Sequence, residues 1–378
     1  VTMILAAPLP LTLARDWSLS FPGIRHDGVA DAGEGRHVAG QRKATSFDIA
    51  HLAGVSQPTV SRALRGSPTV SPATRQRIEA IAKQLNYTVD RAASGLRSGH
   101  SRTLALLLFR DPSPDDTLIN PFFLAMLGSM MSSCAEAGYD LLVSFQQPSS
   151  NWQADYEQSH RADGLILLGY GDYADYRQRL VDMVERGTHF VRWGHVQAGQ
   201  PGLTIGCDNV AGGRSAAEHL VAQGRRRIAF LGDATDHYPE FHDRYLGYVA
   251  ALEAAGLPID PRLQVPAIST EEAGTRAAED LLDRGDPFDA IVAASDLIAL
   301  AAMRVFVNVG LRVPEDVAIV GFDDIPAASL ANPPLTTVVQ DAGAAGRRLI
   351  DTLLARIRGE PTQSVVLPTR LVVRRSSV

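Results

Sequence analysis

A chain of 378 residues, 45% of them hydrophobic, is long enough for two or three domains with cores of their own. No run of eighteen apolar residues free of charge occurs, which excludes a membrane-spanning helix of ordinary length within these residues. Two cysteines, Cys134 and Cys207, supply no disulfide framework and suit a reducing cytoplasm. The formal net charge of −6 is unevenly spread: residues 43–102 hold nine Lys or Arg against three acidic residues, a surplus of +6, while residues 103–378 carry −12. A basic head on an acidic body concentrates attraction for phosphate at one end.

Residues 1–42 open on an apolar stretch, VTMILAAPLPLTLARDWSL, that two prolines break and no basic residue precedes, a poor match to a secretory signal. Residues 22–42 are rich in Gly, Ala, Asp and Arg without periodicity, so the expectation is a disordered N-terminal extension.

From Lys43 the pattern changes. A short apolar-periodic segment with Phe47, Ile49, Ala50, Leu52 and Ala53 stops at Gly54. Ser56 opens a second segment containing Val60, Ala63 and Leu64, which Gly66 closes. Ser71 and Pro72 start a longer third run with Ile78, Ile81, Ala82 and Leu85. Ser56 and Ser71 are suited to cap helices, and Pro72 stands where a missing N–H costs nothing. Three short helices, the first two joined by a glycine turn, are the helix-turn-helix pattern. A bare three-helix bundle is the competing reading, and the local charge speaks against it.

Residues 46–99 resemble the DNA-binding head of the bacterial LacI/GalR-type regulators through DIAHLAGVSQPTVSRAL, GSPTVSPATRQRI, LNY and AASGLRSG, and residues 103–373 resemble that family's regulatory body. The resemblance implies an all-α helix-turn-helix head joined by a hinge helix to a two-lobed α/β body of periplasmic-binding-protein-like fold. The domains are then the extension 1–42, the DNA-binding domain 43–89, the hinge helix and linker 90–102, and the effector-binding and dimerisation domain 103–378.

A recognition helix offers short or planar side chains to base edges from its first turn while phosphates are gripped around it. That turn is Ser56, Gln57, Pro58 and Thr59, followed by Ser61 and Arg62. Gln57 can pair with adenine, Arg62 with guanine, and the edge of Pro58 can meet a thymine methyl. The resemblance likewise puts base reading at Gln57, Pro58 and Arg62. Thr59 and Ser61 are expected on phosphates, as are Arg75 and Arg65, the latter standing where the family often shows asparagine. A solvated helix face is the alternative.

The helical part of the linker, about residues 90–97, is too short to be stable alone, and Gly95 weakens it further. In the family this segment becomes helical when two copies meet over the minor groove, and a leucine in an A-x-x-L spacing wedges between base pairs. Ala93 and Leu96 fill that spacing. Packing of Leu96 against its own body is the competing reading.

Beyond Thr103, buried strands alternate with helices: TLALLLF, YDLLVSF, DGLILLG and THFVRWG, then a restart at RRIAFLG with LQVPA, DAIVAAS and DVAIVGF. Such a rhythm gives parallel α/β sheets, here two lobes around a cleft. The resemblance implies three crossings between lobes, with residues 103–205 and about 333–340 in one lobe and the rest in the other. GYGDYADY (169–176) lacks the dinucleotide-binding spacing, and neither HExxH nor CxxC occurs, so no cofactor, metal or catalytic activity is expected.

Ligands between lobes are taken from the carboxyl ends of strands. The polar and aromatic residues there are Asn120, Phe122, Phe123, Asp208, Arg244, Ser295, Asp296 and Asp323, positions the resemblance also assigns to the effector. Trp193 and His195 are candidates for specificity, with core and surface roles as alternatives, and Asp296 can instead cap its own helix. Arg244 and Asp323 could equally form a structural ion pair. Aromatic faces with carboxylates, an amide and an arginine fit a sugar or sugar derivative, with a purine base or nucleoside second. The chain finishes at LVVRRSSV without leucine heptads, and symmetric reading of a palindrome needs two heads, so a homodimer is expected. The whole reads as a cytoplasmic transcription regulator, most simply a repressor. A transport solute-binding protein, the rival on the same body, has no use for residues 43–98.

Overall fold

A computed structural model describes residues 44–87, 100–109, 119–146, 151–169 and 171–378. The chain divides into two units, residues 1–89 and 90–378.

In the first unit, α1 (Ser46–Ala53), α2 (Gln57–Leu64) and α3 (Pro72–Gln84) surround a core of Ile49, Ala50, Ala53, Val60, Ala63, Val70, Ile78 and Ala82. The first helix starts in a capping box: the Asp48 carboxylate accepts from Thr45 N at 2.7 Å, and Thr45 Oγ1 accepts from Asp48 N at 3.4 Å. It ends at Gly54, whose φ of 63° is the left-handed conformation a side chain would resist. Phe47 and Leu52 face solvent, 71% and 59% exposed, because the inward stripe of a two-turn helix is filled by Ile49, Ala50 and Ala53. One sequence expectation, the Ser56 cap, is corrected here. Ser56 makes no capping bond to the backbone; its hydroxyl pairs with that of Thr59 at 2.9 Å instead. Ser71 does cap, accepting from Thr74 N at 3.3 Å.

The second unit holds two six-stranded sheets. Its elements are β1 (Thr103–Leu108), α4 (Pro121–Glu136), β2 (Asp140–Phe145), β3 (Gly164–Leu168), α5 (Tyr173–Glu185), β4 (Phe190–Trp193), β5 (Leu203–Cys207) and α6 (Asn209–Ala222), with a π-helical turn at Gln153–Gln158. Then come β6 (Ile228–Leu231), α7 (Pro239–Ala254), β7 (Gln264–Val265), α8 (Glu271–Asp283), β8 (Ala290–Ala293), α9 (Asp296–Asn308) and β9 (Ala318–Asp323). The last are α10 (Pro326–Leu330), β10 (Thr336–Gln340), α11 (Ala342–Ile357), β11 (Val365–Leu367) and β12 (Thr369–Val372). Sheet order is β11-β5-β4-β3-β1-β2 in lobe 1 and β12-β10-β9-β8-β6-β7 in lobe 2. All pairings are parallel except that of β10 with β12. β1, β3, β6, β8 and β9 are buried nearly end to end, as sheets covered on both faces require.

The chain crosses between lobes three times, after β5, after β10 and between β11 and β12. Residues 336–340, expected in lobe 1, pair with β9 and β12 in lobe 2, whereas α11 and β11 belong to lobe 1. TTVVQ is β-branched and fits either sheet; only its partners decide.

Two helices of lobe 2 meet at glycines. A Cβ on Gly213 of α6 would meet the Arg244 carbonyl oxygen of α7, and a Cβ on Gly247 of α7 would meet the Val210 carbonyl oxygen of α6. The two helices therefore touch backbone to backbone, through positions where no larger residue fits.

Candidate DNA-reading face and effector cleft

In the head, the first turn of α2 leaves Ser56, Pro58 and Arg62 exposed, with Gln57, Thr59 and Ser61 half-buried. The Gln57 amide donates to Ser46 Oγ at 3.2 Å, tying the starts of α1 and α2 together. Arg65 folds back on its own helix, donating to Ser61 O at 3.1 Å and Ser61 Oγ at 3.0 Å. Arg75 reaches across to the turn before α3 and donates to Gly66 O at 3.2 Å and Ser67 O at 2.7 Å. It is therefore a brace for that turn in addition to any phosphate role. Ala93 and Leu96, with the rest of the hinge and the extension 1–42, lie outside the described residues.

In the body, the strand ends converge on a buried polar group at the face of lobe 2. The Arg244 side chain, 1% exposed, donates from Nε to Asn209 Oδ1 at 2.9 Å and from Nη1 to the Ala294 carbonyl. Its guanidinium lies 3.8 Å from the ring centroid of Phe322 and 5.1 Å from that of Phe241. The Asp323 carboxylate stands 3.8 Å away and accepts from Gln340 Nε2 at 2.5 Å. Gln340 Oε1 in turn lies 2.9 Å from Cys207 Sγ, a thiol that burial pushes up to about 12 and so keeps protonated. Asp323 has a φ of 118° and Asp324 one of 54°, two successive left-handed residues that turn the chain out of β9. Strain of this kind costs about 1–3 kcal/mol per residue and collects at functional sites.

Asp296 is entirely buried and accepts from Thr337 Oγ1 at 2.6 Å and Ile325 N at 2.9 Å. Burial, then the charge of Asp323, holds its carboxyl well above the usual carboxylate range. Ser295 caps α9 by accepting from Ile298 N at 3.4 Å, and also accepts from Ser269 Oγ at 2.8 Å.

Lobe 1 meets this group with Asn120 and an aromatic wall. Asn120 caps α4 through Phe122 N at 3.0 Å and reaches lobe 2 by donating to Ser269 Oγ at 3.0 Å. Phe122 packs on Phe123 and Trp193, ring centroids 5.4 and 5.7 Å apart. A cavity of about 340 Å³ opens between Phe122 and Pro121 of lobe 1 and Asp323, Gln340 and Arg370 of lobe 2. His195 bridges the lobes as well: its Nδ1 lies 2.6 Å from Asp243 Oδ2, and its backbone N donates to Glu240 Oε1 at 2.8 Å. Asp208 stands apart, an exposed cap that accepts from Ala211 N at 2.9 Å.

Comparison with known proteins separates the two units in the same way. The profile for bacterial regulatory proteins of the lacI family matches residues 47–90, and that for a periplasmic binding protein-like domain matches residues 217–377. The HTH-type transcriptional regulator CelR of Thermobifida fusca is 36% identical over 343 residues, covering 89% of this chain and 99% of its own. The chain belongs to the LacI family.

Like its relatives, this LacI-family protein is a DNA-binding transcriptional regulator, with a helix-turn-helix head and a two-lobed α/β body. Among solved structures, a CelR–cellobiose complex superposes with a TM-score of 0.64 at 35% identity, covering 88% of this chain and 99% of the other. The lac repressor dimer bound to operator and the anti-inducer ONPF gives 0.77 at 27% identity, covering 89% and 100%. Among the described residues, no helix is long and apolar enough to cross a membrane.

Within this LacI-family body, several residues of the buried polar group do not stand out in the sequence. Asn209, not its neighbour Asp208, holds Arg244, and the dipeptide itself carried no sign of which residue turns inward. Gln340 ends a strand and could have been found by the strand-end rule that found Asp323. Ser269 follows a two-residue strand too short to stand out.

Proposed function

We propose that this regulator represses transcription by binding a palindromic operator as a homodimer, and that a sugar or sugar derivative held between the lobes controls it. The observation that carries the effector reading is the cavity between Phe122 of lobe 1 and Asp323 and Gln340 of lobe 2, with Arg244 3.8 Å behind Asp323. Arg244 is a rigid fork of donors, Asp323 an acceptor, and Phe122 with Trp193 a pair of aromatic faces, the complement of a hydroxylated ring. The CelR–cellobiose complex, similar over nearly the whole chain, supports the same class. For DNA, the support is the exposed first turn of α2 within a segment of charge +6. The palindrome and the dimer are supported by the similar lac repressor dimer bound to its operator, since symmetric reading of a palindrome needs two recognition helices.

The experiment is in two stages. Selection of bound fragments from a genomic library identifies the operator, and its inverted repeat tests the dimer. Titration of cellobiose, ribose and adenosine into the complex, followed by gel shift and calorimetry, then tests the effector. Release by a sugar supports the reading. Response to adenosine alone transfers the site to nucleosides, and failure to retain any fragment ends the operator proposal.

A further inference from the structure

Besides the Asn120–Ser269 bond, two histidine–carboxylate pairs join the lobes. His195 follows β4 in lobe 1 and lies 2.6 Å from Asp243 on α7 of lobe 2. His237 precedes α7 in lobe 2 and lies 2.7 Å from Asp172, the cap of α5 in lobe 1. Beside them, His195 N donates to Glu240 at 2.8 Å, and Tyr173 N donates to His237 O at 2.9 Å. The donor and acceptor types are reversed between the two pairs: lobe 1 gives the histidine in one and the carboxylate in the other.

We propose that His195–Asp243 and His237–Asp172 are proton-operated clasps across the cleft, so that protonation of the two imidazoles draws the lobes together. The lobes are joined by three chain crossings, a connection that permits pivoting, and a clasp is made only when they are closed. An imidazolium paired with a carboxylate in the closed arrangement loses that partner on opening. Closure and proton binding are therefore linked, each favouring the other.

The surroundings agree in sign. His195 is faced by Asp243 and Glu240 from α7, and by Gln197 from its own loop. Arg192, on its own strand, is the cation nearby, and its guanidinium is engaged by Gln200 Oε1 at 2.5 Å, by the His195 carbonyl at 3.2 Å and by the Tyr173 ring. His237 is faced by Asp172 and Asp175 of α5 and by Asp233 of its own loop. The hydrogen bond to Asp243 raises the His195 imidazole above its ordinary value of 6.5, against the opposing effect of burial, and the bond to Asp172 raises His237 likewise. Each clasp is thus fully made below the ordinary histidine value and is lost as pH rises through the raised one. Asp243 directly precedes Arg244 on α7, so the same turn of helix carries a clasp and the buried guanidinium that stands beside Asp323. Effector response therefore becomes dependent on pH. This inference concerns the lobes alone and stands whether the effector is a sugar or not.

The test needs no effector. Arg177, exposed on α5 of lobe 1, and Glu253, exposed on α7 of lobe 2, are replaced by cysteine in the full chain and labelled with a donor and an acceptor dye. The native Cys134 and Cys207 are buried. Transfer efficiency is read from about pH 5.5 to 9, the range in which histidine changes charge. The ligand-free protein should show high transfer at the acid end that falls through neutral pH. The His195→Gln/His237→Gln double variant should give a flat profile, with a melting curve at pH 8 that shows it folded. Asp172→Asn/Asp243→Asn should flatten it as well, from the other side of each clasp. A constant signal in the parent protein, or a pH profile that survives loss of both histidines, overturns the proposal.

Discussion

The Arg244 guanidinium and the Asp323 carboxylate lie 3.8 Å apart, each side chain 1% exposed, on α7 and at the end of β9 of the same lobe. A pair this deep holds the lobe, and of its two members it is Asp323 that lines the cavity between the lobes. Arg244→Ala leaves Asp323 buried without its cation, a loss of about 3–5 kcal/mol. The ligand-free body should melt roughly 10 °C lower. Where the protein still folds, operator binding should persist while the response to effector is lost. Differential scanning calorimetry and gel shift read the two effects; an unchanged melting temperature would show that the pair does not hold the lobe.

Asp296 gives a pH-dependent prediction of the opposite kind. Its carboxyl is held well above the usual range, so the folded state binds a proton that the unfolded chain releases near the ordinary carboxylate value. The stability it contributes is present at low pH and declines as pH rises from that value towards the raised one. Asp296→Asn removes the ionisation, and the Thr337 hydroxyl can turn to accept from the new amide. The variant should equal the parent near pH 4 and exceed it in melting temperature at pH 8. A deficit that grows with pH would reject a neutral Asp296.

In the head, Gln57→Ala should relax base preference at one position of each half-site, and Arg62→Ala should cost about 1–3 kcal/mol there. Both changes read out as a lower ratio of operator to random-DNA affinity. A truncated protein of residues 103–378 should keep the folded body and lose operator binding altogether; retention of affinity would remove the head from the account.

Arg75→Ala should act through the turn that it braces, since the carbonyls of Gly66 and Ser67 lose their donor. The head should melt earlier, and affinity for operator and random DNA should fall together. Selective loss of operator affinity alone would make Arg75 a base reader instead.

Much of the architecture was legible because strands buried on both faces announce themselves as apolar runs, and because glycine and serine punctuate the head. Arg244 and Asp323 were singled out from their places beside strand ends, and the two lie 3.8 Å apart in lobe 2. What escaped depended on pairing rather than composition. Nothing in TTVVQ says which sheet it joins, nothing in DN says which residue turns inward, and no spacing reveals that His195 meets Asp243 across 48 positions of chain. The exposure of Phe47 and Leu52 escaped for a different reason, since in a two-turn helix three buried residues already complete a core face.

The glycine contact between α6 and α7 has a bearing on how such a protein can change over time. Because main chain rests on main chain at Gly213 and Gly247, the approach of the Arg244 turn to Asn209 is set by backbone contact at these two positions. Exposed residues elsewhere on both helices lie away from this contact. Sequence change on the opposite lobe, at Phe122 and its neighbours, can then reshape the cavity while this helix pair keeps its place.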